Sequence, residues 1–401
     1  MLLDGMRVIS LCHFLQGPAC TQYLADLGAT VIKIEPPHGP FERKWAGANA
    51  FPGGVSNLFL AANRNKKSLA IDLKTETGRE IFLRLVESAD VVMENFRDGV
   101  LERLGLGFDV LRKRNPAIIY ASSSGWAGVG PMAGRPAQDL IIQARVGLVA
   151  ANGPTPRAGR AVGGAAIDQH SGCLMAMGIV AAYVKRLKTG KGTRVEGSLF
   201  AAGADLMMEG LTMYLSGGFD EHRALTRDEH LSTWFNEGPY GVYPVKDATV
   251  VIPTNDPAKL AKALRSTELE AFIGVDTYAQ RDAYAVATAA VVKDWTYCDL
   301  SAAFDALGIW YGKVQHYRDL KTDPQAIAQQ LFTDVDVNGA KATIVNHPLV
   351  YDGRKPEFKG FPLQIGQHTR EVLRELNYSD AQVDELARAG VVKLPQKEAC
   401  T

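Results

Sequence analysis

A surplus of either charge is missing from this 401-residue sequence, in which 44 Lys and Arg balance 44 Asp and Glu. A net charge of zero argues against a main role in bulk electrostatic binding to nucleic acid or acidic membranes. The charges are unevenly distributed. Residues 1–200 carry 24 basic and 16 acidic side chains, a net of +8, and residues 201–401 carry 20 and 28, a net of −8. The basic half predicts an anionic ligand; two domains with compensating surfaces are the alternative.

Cysteine and long apolar runs are also scarce. No C-x-x-C and no H-x-x-x-H spacing occurs, so neither a disulfide framework nor a zinc or catalytic metal site is expected. The longest apolar run, Leu174 to Val184, has about 11 residues, whereas a bilayer span requires roughly 20. The N-terminal residues lack the regions of a secretory signal. We therefore expect a cytoplasmic protein without a metal or a membrane partner, whose thiols are all free: Cys12, Cys20, Cys173, Cys298 and Cys400.

Several common ligand-binding motifs are absent. Residues 125–130 read G-x-x-G-x-G, which differs from the dinucleotide-binding G-x-G-x-x-G. The Gly-Lys turn at 190–191 lacks the upstream glycine of a phosphate-binding loop and is typical of a helix end. No G-x-S-x-G occurs, which disfavours a serine hydrolase of the α/β type.

What is present is a regular alternation of apolar strands and helices over the first 125 residues. This spacing predicts βαβ units and a parallel sheet. Ligands of such sheets bind beyond the carboxyl ends of the strands. The segments to consider are therefore the predicted strand tips, at 12–16, 36–43, 95–97 and 122–130. The predicted strands themselves are Met6–Leu11, Ala29–Glu35, Ser68–Leu73, Asp90–Phe96 and Ala117–Ser122.

The sequence changes character after about residue 218. Residues 240–254 resemble a hairpin with an Asp-containing turn, residues 256–265 resemble a helix, and acidic surface follows to about 325. We predict a large domain over residues 1–224, a smaller α+β domain over 225–325, and a C-terminal segment over 326–401.

Asp168 is the sharpest catalytic candidate. It follows a run of small residues and precedes an apolar helix predicted from Cys173 to about Leu187. An Asp in that position is most simply a helix N-cap. It can alternatively be a nucleophilic carboxylate, because small neighbours admit an acyl group and free helix amides stabilise an oxyanion. The residues leave both readings open.

Four further positions have both a structural and a functional interpretation. Gln138 and Asp139 either form a surface turn before a helix or line a ligand site. His13 and Gln16 lie at the tip of the first strand, where a ligand contact and a local hydrogen bond are equally plausible.

The ordered motifs of the chain resemble class III coenzyme A transferases, a family that includes formyl-CoA transferase, carnitine CoA transferase and α-methylacyl-CoA racemases. The resemblance covers nearly the whole chain and implies a Rossmann-like α/β large domain with a smaller domain. It also implies a homodimer of two interlocked chains. The matching runs are Gly17–Pro18, Leu24–Glu35, Asn65–Ser68, Asp72–Gly78, Ala89–Phe96, Leu104–Gly105, Asp168–Gly172, Thr189–Gly192, Gly308–Ile309, Val314, Asp323–Pro324 and Gly366–Thr369.

The resemblance implies transfer of CoA from an acyl-CoA donor to a free carboxylic acid, with no permanently bound cofactor. Asp168 matches the aspartate that attacks the donor thioester, forming first an anhydride and then an aspartyl-CoA thioester. Residues 138 and 139 match the pantetheine end of the site. The other positions that match CoA contacts are His13, Leu15, Gln16, Ile71, Asp72, Leu73, Lys74, Asn95, Phe96 and Arg103.

Three departures from the family bear on the substrate. Formyl-CoA transferase has a Gln at the position of Leu15, whereas here Gln occupies position 16, and residues 225–245 contain no glycine run. Both differences disfavour formate and oxalate. The racemases have a His where this chain has Gln138, which cannot serve as a proton-shuttling base. An acyl-CoA racemase and a catalytically silent CoA-binding protein remain the alternatives to a transferase.

Overall fold

The first architectural feature is a seven-stranded sheet, seen in a computed structural model that describes residues 1–220 and 225–396. Its strand order is β12-β3-β2-β1-β4-β5-β6, and every pairing from β3 to β6 is parallel. The prediction of a Rossmann-like parallel sheet is thus confirmed. Its strands are β1 Arg7–Leu11, β2 Thr30–Glu35, β3 Lys66–Ile71, β4 Val91–Glu94, β5 Ile119–Ser124, β6 Arg194–Ser198 and β12 Val392–Lys393.

The strand order reverses beside β1. The chain moves from β1 outward through β2 and β3, and then returns to the other side of β1 with β4. In open α/β sheets the crevice at such a reversal, outside the carboxyl ends of the strands, is the usual ligand site. The loops after β1 and β4 therefore border the expected ligand site.

Side-chain alternation explains why these segments form a sheet covered on both faces. In β1, Val8 lies in one hydrophobic cluster and its neighbour Ile9 lies in the other. Strands that are apolar on both faces are typical of parallel sheets with helices on each side. One face packs against residues 81–86 and 372–376, and the other packs against residues 20–25 and 175–182.

The helices, like the strands, are numbered in chain order. They are α1 Gln16–Asp26, α2 Phe41–Lys44, α3 Asn57–Ala62, α4 Glu76–Glu87, α5 Val100–Arg103, α6 Phe108–Arg114, α7 Asp139–Arg145, α8 Leu148–Ala151, α9 Ala166–Thr189, α10 Leu199–Leu206, α11 Met208–Gly217, α12 Pro257–Leu264, α13 Thr267–Glu270, α14 Arg281–Val292, α15 Tyr297–Asp305, α16 Tyr317–Leu320, α17 Pro324–Ala328, α18 Thr369–Glu375 and α19 Asp380–Arg388. Short 3₁₀ turns lie at Gly47–Asn49, Pro52–Gly54 and Pro156–Ala158. None of the described helices combines the length and the apolarity that a bilayer crossing needs.

Helices α1 and α9 pack unusually closely. A Cβ atom at Gly172 would lie 2.9 Å from the carbonyl oxygen of Gln16, and one at Gly17 would lie 2.6 Å from the Cys12 Sγ atom. A larger residue would displace backbone at Gly172 and the Cys12 side chain at Gly17. The two glycines therefore bring the start of α1 against the tip of β1 and against the second turn of α9.

The chain contacts group into two units. The first comprises residues 1–142, 165–206 and 324–401, and the second comprises 143–164 and 207–323. This grouping does not test the predicted domain boundaries near residues 224 and 325, which stay a prediction. In the second unit, β7 Gly241–Pro244, β8 Thr249–Ile252 and β9 Gly312–Lys313 form an antiparallel sheet. The predicted hairpin around Asp247 is confirmed, and Asp256 caps the predicted helix, α12.

The last part of the chain completes the first unit. Strands β10 Phe332–Val337 and β11 Ala340–Val345 form a separate antiparallel hairpin, and β12 then pairs antiparallel with β3. This region also closes a buried charge cluster. The Asp26 carboxylate of α1 accepts hydrogen bonds from the Arg64 guanidinium at 2.6 and 2.9 Å, and His347 Nδ1 lies 3.2 Å from the same carboxylate.

Candidate active site

The loops after β1 and β4 are joined by one side chain, Asn95. Its Oδ1 atom accepts the His13 amide at 2.9 Å, and its Nδ2 atom donates to the His13 carbonyl at 3.0 Å. The His13 ring stacks on Phe96 with 5.3 Å between ring centroids. Burial lowers the pKa of His13, and the negative charge of Glu42 raises it by a smaller amount. The net pKa is below the usual 6.5, so the imidazole is neutral at pH 7. The structure thus brings three of the predicted site residues together at the strand-order reversal.

Gln16 is buried, and its side-chain nitrogen is bonded within the protein. Its Nε2 atom donates to Ser123 Oγ at 2.6 Å, at the end of β5, and to Ser171 Oγ at 2.7 Å, in α9. The side chain therefore ties the start of α1 to β5 and to the helix that carries Asp168. Leu15, directly before α1, is half-buried and lies beside it.

The tip of β3 presents a turn with one exposed cation. The strand ends at Ile71, which is buried, and not at Leu73 as predicted. Asp72, Leu73 and Lys74 therefore belong to the turn that follows the strand. Asp72 Oδ1 accepts the Lys74 amide at 2.9 Å, and the Asp72 carbonyl accepts the Thr75 hydroxyl at 2.8 Å. The turn is held by Asp72, Leu73 is half-buried, and the Lys74 side chain extends into solvent. Arg103, the last residue of α5, is likewise exposed.

Asp168 does not cap its helix. Helix α9 begins at Ala166 with Ala165 in the N-cap position and without a side-chain cap, so the N-cap interpretation of Asp168 is wrong. The predicted start at Cys173 is also wrong, because α9 begins seven residues earlier. Asp168 lies in the first turn, where it is half-buried, and within the described residues its carboxylate accepts no hydrogen bond.

The amides of that first turn are instead occupied by a second carboxylate, that of Asp139. Its Oδ2 atom accepts the Ile167 amide at 2.8 Å and the Asp168 amide at 3.1 Å. Gln138 precedes Asp139 directly and is exposed. Two of the helix amides that the sequence suggested for an oxyanion are therefore bonded to Asp139, whose charge acts on the Asp168 carboxyl group.

This arrangement makes Asp168 a weak acid. Burial, with the charge of Asp139 as the second cause, raises the pKa of Asp168 from its usual 3.8 to about 7. A carboxyl group of this pKa is a stronger nucleophile when ionised than an ordinary aspartate. Strongly shifted groups in a polar site are characteristic of active centres.

The raised pKa predicts a stability gain for Asp168→Asn. Between about pH 4 and pH 7 the folded protein retains a proton that the unfolded chain releases, so the folded state loses stability as the pH rises through this range. The variant removes that loss. We expect it to be more stable than the wild type by about 2 kcal/mol at pH 8, after allowance for solvent screening of a half-buried group. The gain is expected to vanish at pH 4.

Urea denaturation of both proteins at pH 4, 6 and 8 measures this difference. Asp205→Asn is the matched control, because it removes a carboxylate from the helix that follows β6 without touching the first turn of α9. An equal stability difference at all three pH values would contradict the assignment of a raised pKa to Asp168.

A polar cavity of about 340 Å³, which the sequence does not predict, lies beside the end of β4 and along β5 and β6. Its lining includes Glu94, Tyr120, Arg194 and Glu196. The Tyr120 hydroxyl donates to Glu94 at 3.3 Å, and burial raises the pKa of Glu94. The predicted strand tip at 122–130 pointed to this region, but these side chains lie within the strands, where nothing in the pattern distinguishes them from core positions.

One further pair of titratable groups joins α9 to α10. His170 Nε2 lies 2.7 Å from Asp205 Oδ2, on the solvent side of the helix. Within residues 1–220 and 225–396, no three His, Cys, Asp or Glu side chains cluster as the ligands of a metal ion would.

Comparisons with known proteins identify the family of the chain. The family described as CoA-transferase family III matches residues 3–369. An acyl-CoA transferase of Fusarium pseudograminearum is 32% identical over 97% of this chain and 88% of its own length. A succinyl-CoA:mesaconate CoA-transferase of Haloarcula hispanica is 33% identical over 93% and 96%. The crystal structure of a CAIB/BAIF family protein from Brucella suis superposes with a TM-score of 0.81 and 30% identity, over 93% of this chain and 99% of that one. Matches of this extent, together with the shared fold, show that the chain belongs to CoA-transferase family III.

Proposed function

We propose that this protein transfers CoA from an acyl-CoA thioester to a free carboxylic acid, with Asp168 as the nucleophile. The observation that carries the proposal is the Asp168 carboxyl group itself. It is half-buried in the first turn of α9, accepts no hydrogen bond within the described residues, and has a pKa of about 7. Membership of CoA-transferase family III supports the same chemistry.

The proposed reaction proceeds through covalent states of Asp168. Its carboxylate attacks the thioester carbonyl of the donor, the C–S bond breaks, and an acyl-aspartyl anhydride and CoA thiolate result. The thiolate then attacks the aspartyl carbon of the anhydride, which releases the donor acid as a carboxylate and leaves an aspartyl-CoA thioester. The acceptor carboxylate then attacks the aspartyl-CoA thioester, which releases CoA thiolate and forms a second anhydride. The thiolate attacks the acceptor acyl carbon of this anhydride, which gives the new acyl-CoA and regenerates the ionised Asp168. A covalent nucleophile divides one difficult displacement into easier ones.

The proposed CoA site spans the strand tips. His13, Leu15, Asn95 and Phe96 would contact CoA at the strand-order reversal, and Lys74 and Arg103 would meet its phosphates. Gln16 and Ile71, which are buried, would form the floor of the site. Leu73 and Asp72 would line the ligand beside Lys74. Gln138 and Asp139 would border the pantetheine end, next to Asp168.

The proposed acids are small and include dicarboxylates. The relative from Haloarcula hispanica is named for succinyl-CoA and mesaconate, both with dicarboxylic acyl groups. Two of the departures noted in the sequence disfavour formate and oxalate. They are the Gln at position 16 instead of 15 and the lack of a glycine run at 225–245.

The proposed enzyme is also a homodimer, as the family resemblance implies. Support comes from α9, on which Met177 and Leu187 are each 66% exposed in the single chain. Exposed apolar side chains of this size favour a protein interface. Light scattering of the purified protein tests this, and a mass equal to one chain would contradict it.

The experiment that tests the function is a screen of donors against acceptors. Succinyl-, acetyl- and propionyl-CoA are each incubated with ¹³C-labelled dicarboxylic and monocarboxylic acids, and the new thioesters are identified by mass spectrometry. We expect labelled acyl-CoA only when donor and acceptor are both present, together with a CoA adduct on the peptide that contains Asp168. Deuterium uptake at the α-carbon of the donor without any acceptor would instead favour a racemase. CoA binding without any exchange would favour a silent binding protein.

The exposed cations provide a prediction about CoA affinity. Lys74→Met and Arg103→Met are each expected to weaken CoA binding by about 5-fold at 50 mM salt, because each removes a positive charge facing the phosphates. The loss is expected to shrink at 500 mM salt, where exposed charges are screened. Calorimetric titration with CoA measures it.

Lys113→Met is the control for this experiment, because Lys113 is an exposed lysine of the same basic half, on α6. It is expected to leave the affinity unchanged. If Lys74→Met and Arg103→Met bind CoA as tightly as the control at low salt, the positive charge of residues 1–200 has no part in binding.

A further inference from the structure

Besides its proposed place at the pantetheine end, Asp139 bonds directly to the helix that carries Asp168. Its Oδ2 atom accepts two amides of the first turn of α9, from Ile167 at 2.8 Å and from Asp168 itself at 3.1 Å. Helix α9 has no side-chain cap of its own. Asp139, from 28 positions earlier in the chain, therefore satisfies amides that would otherwise have no partner.

The consequence is electrostatic. The amino end of a helix ordinarily stabilises a nearby carboxylate. Here that end is already occupied by the negative charge of Asp139, so a second charge on Asp168 is repelled instead of stabilised. The two carboxyl groups thus differ in role because their surroundings differ, as in other sites with paired carboxyl groups.

We propose that Asp139 is a positioning residue, whose carboxylate fixes the first turn of α9 and favours the uncharged acyl and CoA adducts of Asp168 over the free Asp168 carboxylate. This inference rests on the proposed function of Asp168. An anhydride or a thioester of Asp168 carries no charge on its carboxyl group, so its formation relieves the repulsion by Asp139. The free carboxylate is destabilised, and its attack on a donor thioester is correspondingly favoured.

Other charges around the first turn do not explain the same effect. Asp205 on α10 is paired with His170 at 2.7 Å, and Glu196 on β6 is paired with Arg194 at 2.8 Å. On α1, the Tyr23 hydroxyl accepts a hydrogen bond from Gln169. Within the described residues, Asp139 is the charged group that acts on the pKa of Asp168, which burial also raises.

The test compares Asp139→Asn with the wild type. Asparagine retains an oxygen that can accept the two amides but lacks the charge. Carboxyl ¹³C NMR of Asp-labelled protein follows the titration of Asp168, whose resonance is identified by its loss in Asp168→Asn. We expect the midpoint to fall by about one pH unit in Asp139→Asn. The acidic limb of the pH–rate profile is expected to move with it, and the fraction of enzyme trapped as the CoA adduct at pH 8 is expected to fall several-fold.

Two further variants keep the test decisive. Asp139→Ser, which also offers an oxygen to the helix amides, replaces Asp139→Asn if the latter does not fold. Asp205→Asn is the matched control and is expected to leave the Asp168 midpoint and the adduct fraction unchanged. An unchanged midpoint and adduct fraction in folded Asp139→Asn would overturn this proposal alone. Full turnover in Asp168→Ala would overturn the proposed function, whatever the NMR titration shows.

Discussion

Replacement of Asp168 by alanine is expected to reduce CoA transfer by at least about 10⁴-fold, because removal of a covalent nucleophile eliminates the route that divides the reaction into successive displacements. Alanine leaves the backbone of α9 unchanged, and Asp139 can still accept the amides of residues 167 and 168. We therefore expect the fold and the CoA site to persist. Steady-state transfer from succinyl-CoA to a labelled dicarboxylate measures the loss.

Binding distinguishes a lost nucleophile from a damaged site. The dissociation constant of CoA is expected to stay within about twofold of the wild-type value, because no proposed phosphate contact involves Asp168. Trypsin digestion after incubation with donor is expected to yield no adduct on the peptide containing position 168. If Asp168→Ala turns over at near the wild-type rate, Asp168 is not the nucleophile.

The second large effect concerns stability, at the buried Arg64–Asp26 pair. Arg64→Met is expected to lower the free energy of unfolding by about 3–5 kcal/mol, because it leaves the Asp26 carboxylate buried without its charged partner. Asp26 is only 3% exposed, and the guanidinium also donates to the Val345 carbonyl at 2.7 Å. Urea denaturation followed by circular dichroism measures the change.

A double variant shows how much of this loss comes from the unpaired Asp26 carboxylate. Arg64→Met with Asp26→Leu is expected to recover much of the loss, since an apolar pair of similar volume carries no desolvation cost. Arg114→Met is the surface control. Arg114 forms partly exposed ion pairs with Glu80 and Glu87, so its replacement is expected to cost less than about 1 kcal/mol. Equal losses in Arg64→Met and Arg114→Met would mean that burial of the first pair has no energetic weight.

The parallel sheet could be predicted from the sequence because its strands are nearly continuous apolar runs. Val8 and Ile9 illustrate this, since each faces a different hydrophobic cluster and no polar alternation is needed. The strand tips followed from the same pattern. The predicted strand 68–73 was shifted, because the turn at Asp72 resembles a strand in composition and is set by its own hydrogen bonds.

The start of α9 could not be predicted for a different reason. Residues 163–166 are glycines and alanines, which show no helical periodicity, and the cap of the helix is supplied by Asp139. A cap that comes from 28 residues away is a tertiary contact, and local pattern analysis does not detect it. The same limit explains why the sequence offered Asp168 as a possible N-cap, whereas Asp139 bonds the helix amides.

The candidate site was partly predictable. His13 and Asn95 stand directly after strands, so their meeting follows from parallel strands having their carboxyl ends at one edge. The internal role of Gln16 did not follow, because its partners Ser123 and Ser171 are two ordinary serines far apart in the chain. Only the resemblance to CoA transferases identifies CoA as the ligand expected at this edge.

The antiparallel strand β12 has a consequence for the way the protein is made. On the ribosome, β3 emerges early, whereas its outer neighbour, at residues 392 and 393, emerges only after the whole second unit. Throughout that interval the nascent sheet has an unpaired edge at β3, and unpaired edges are templates for aggregation. The N-terminal half of this chain is thus the part with the greatest need for a chaperone during synthesis, and this edge stays open until residues 392 and 393 have been synthesised.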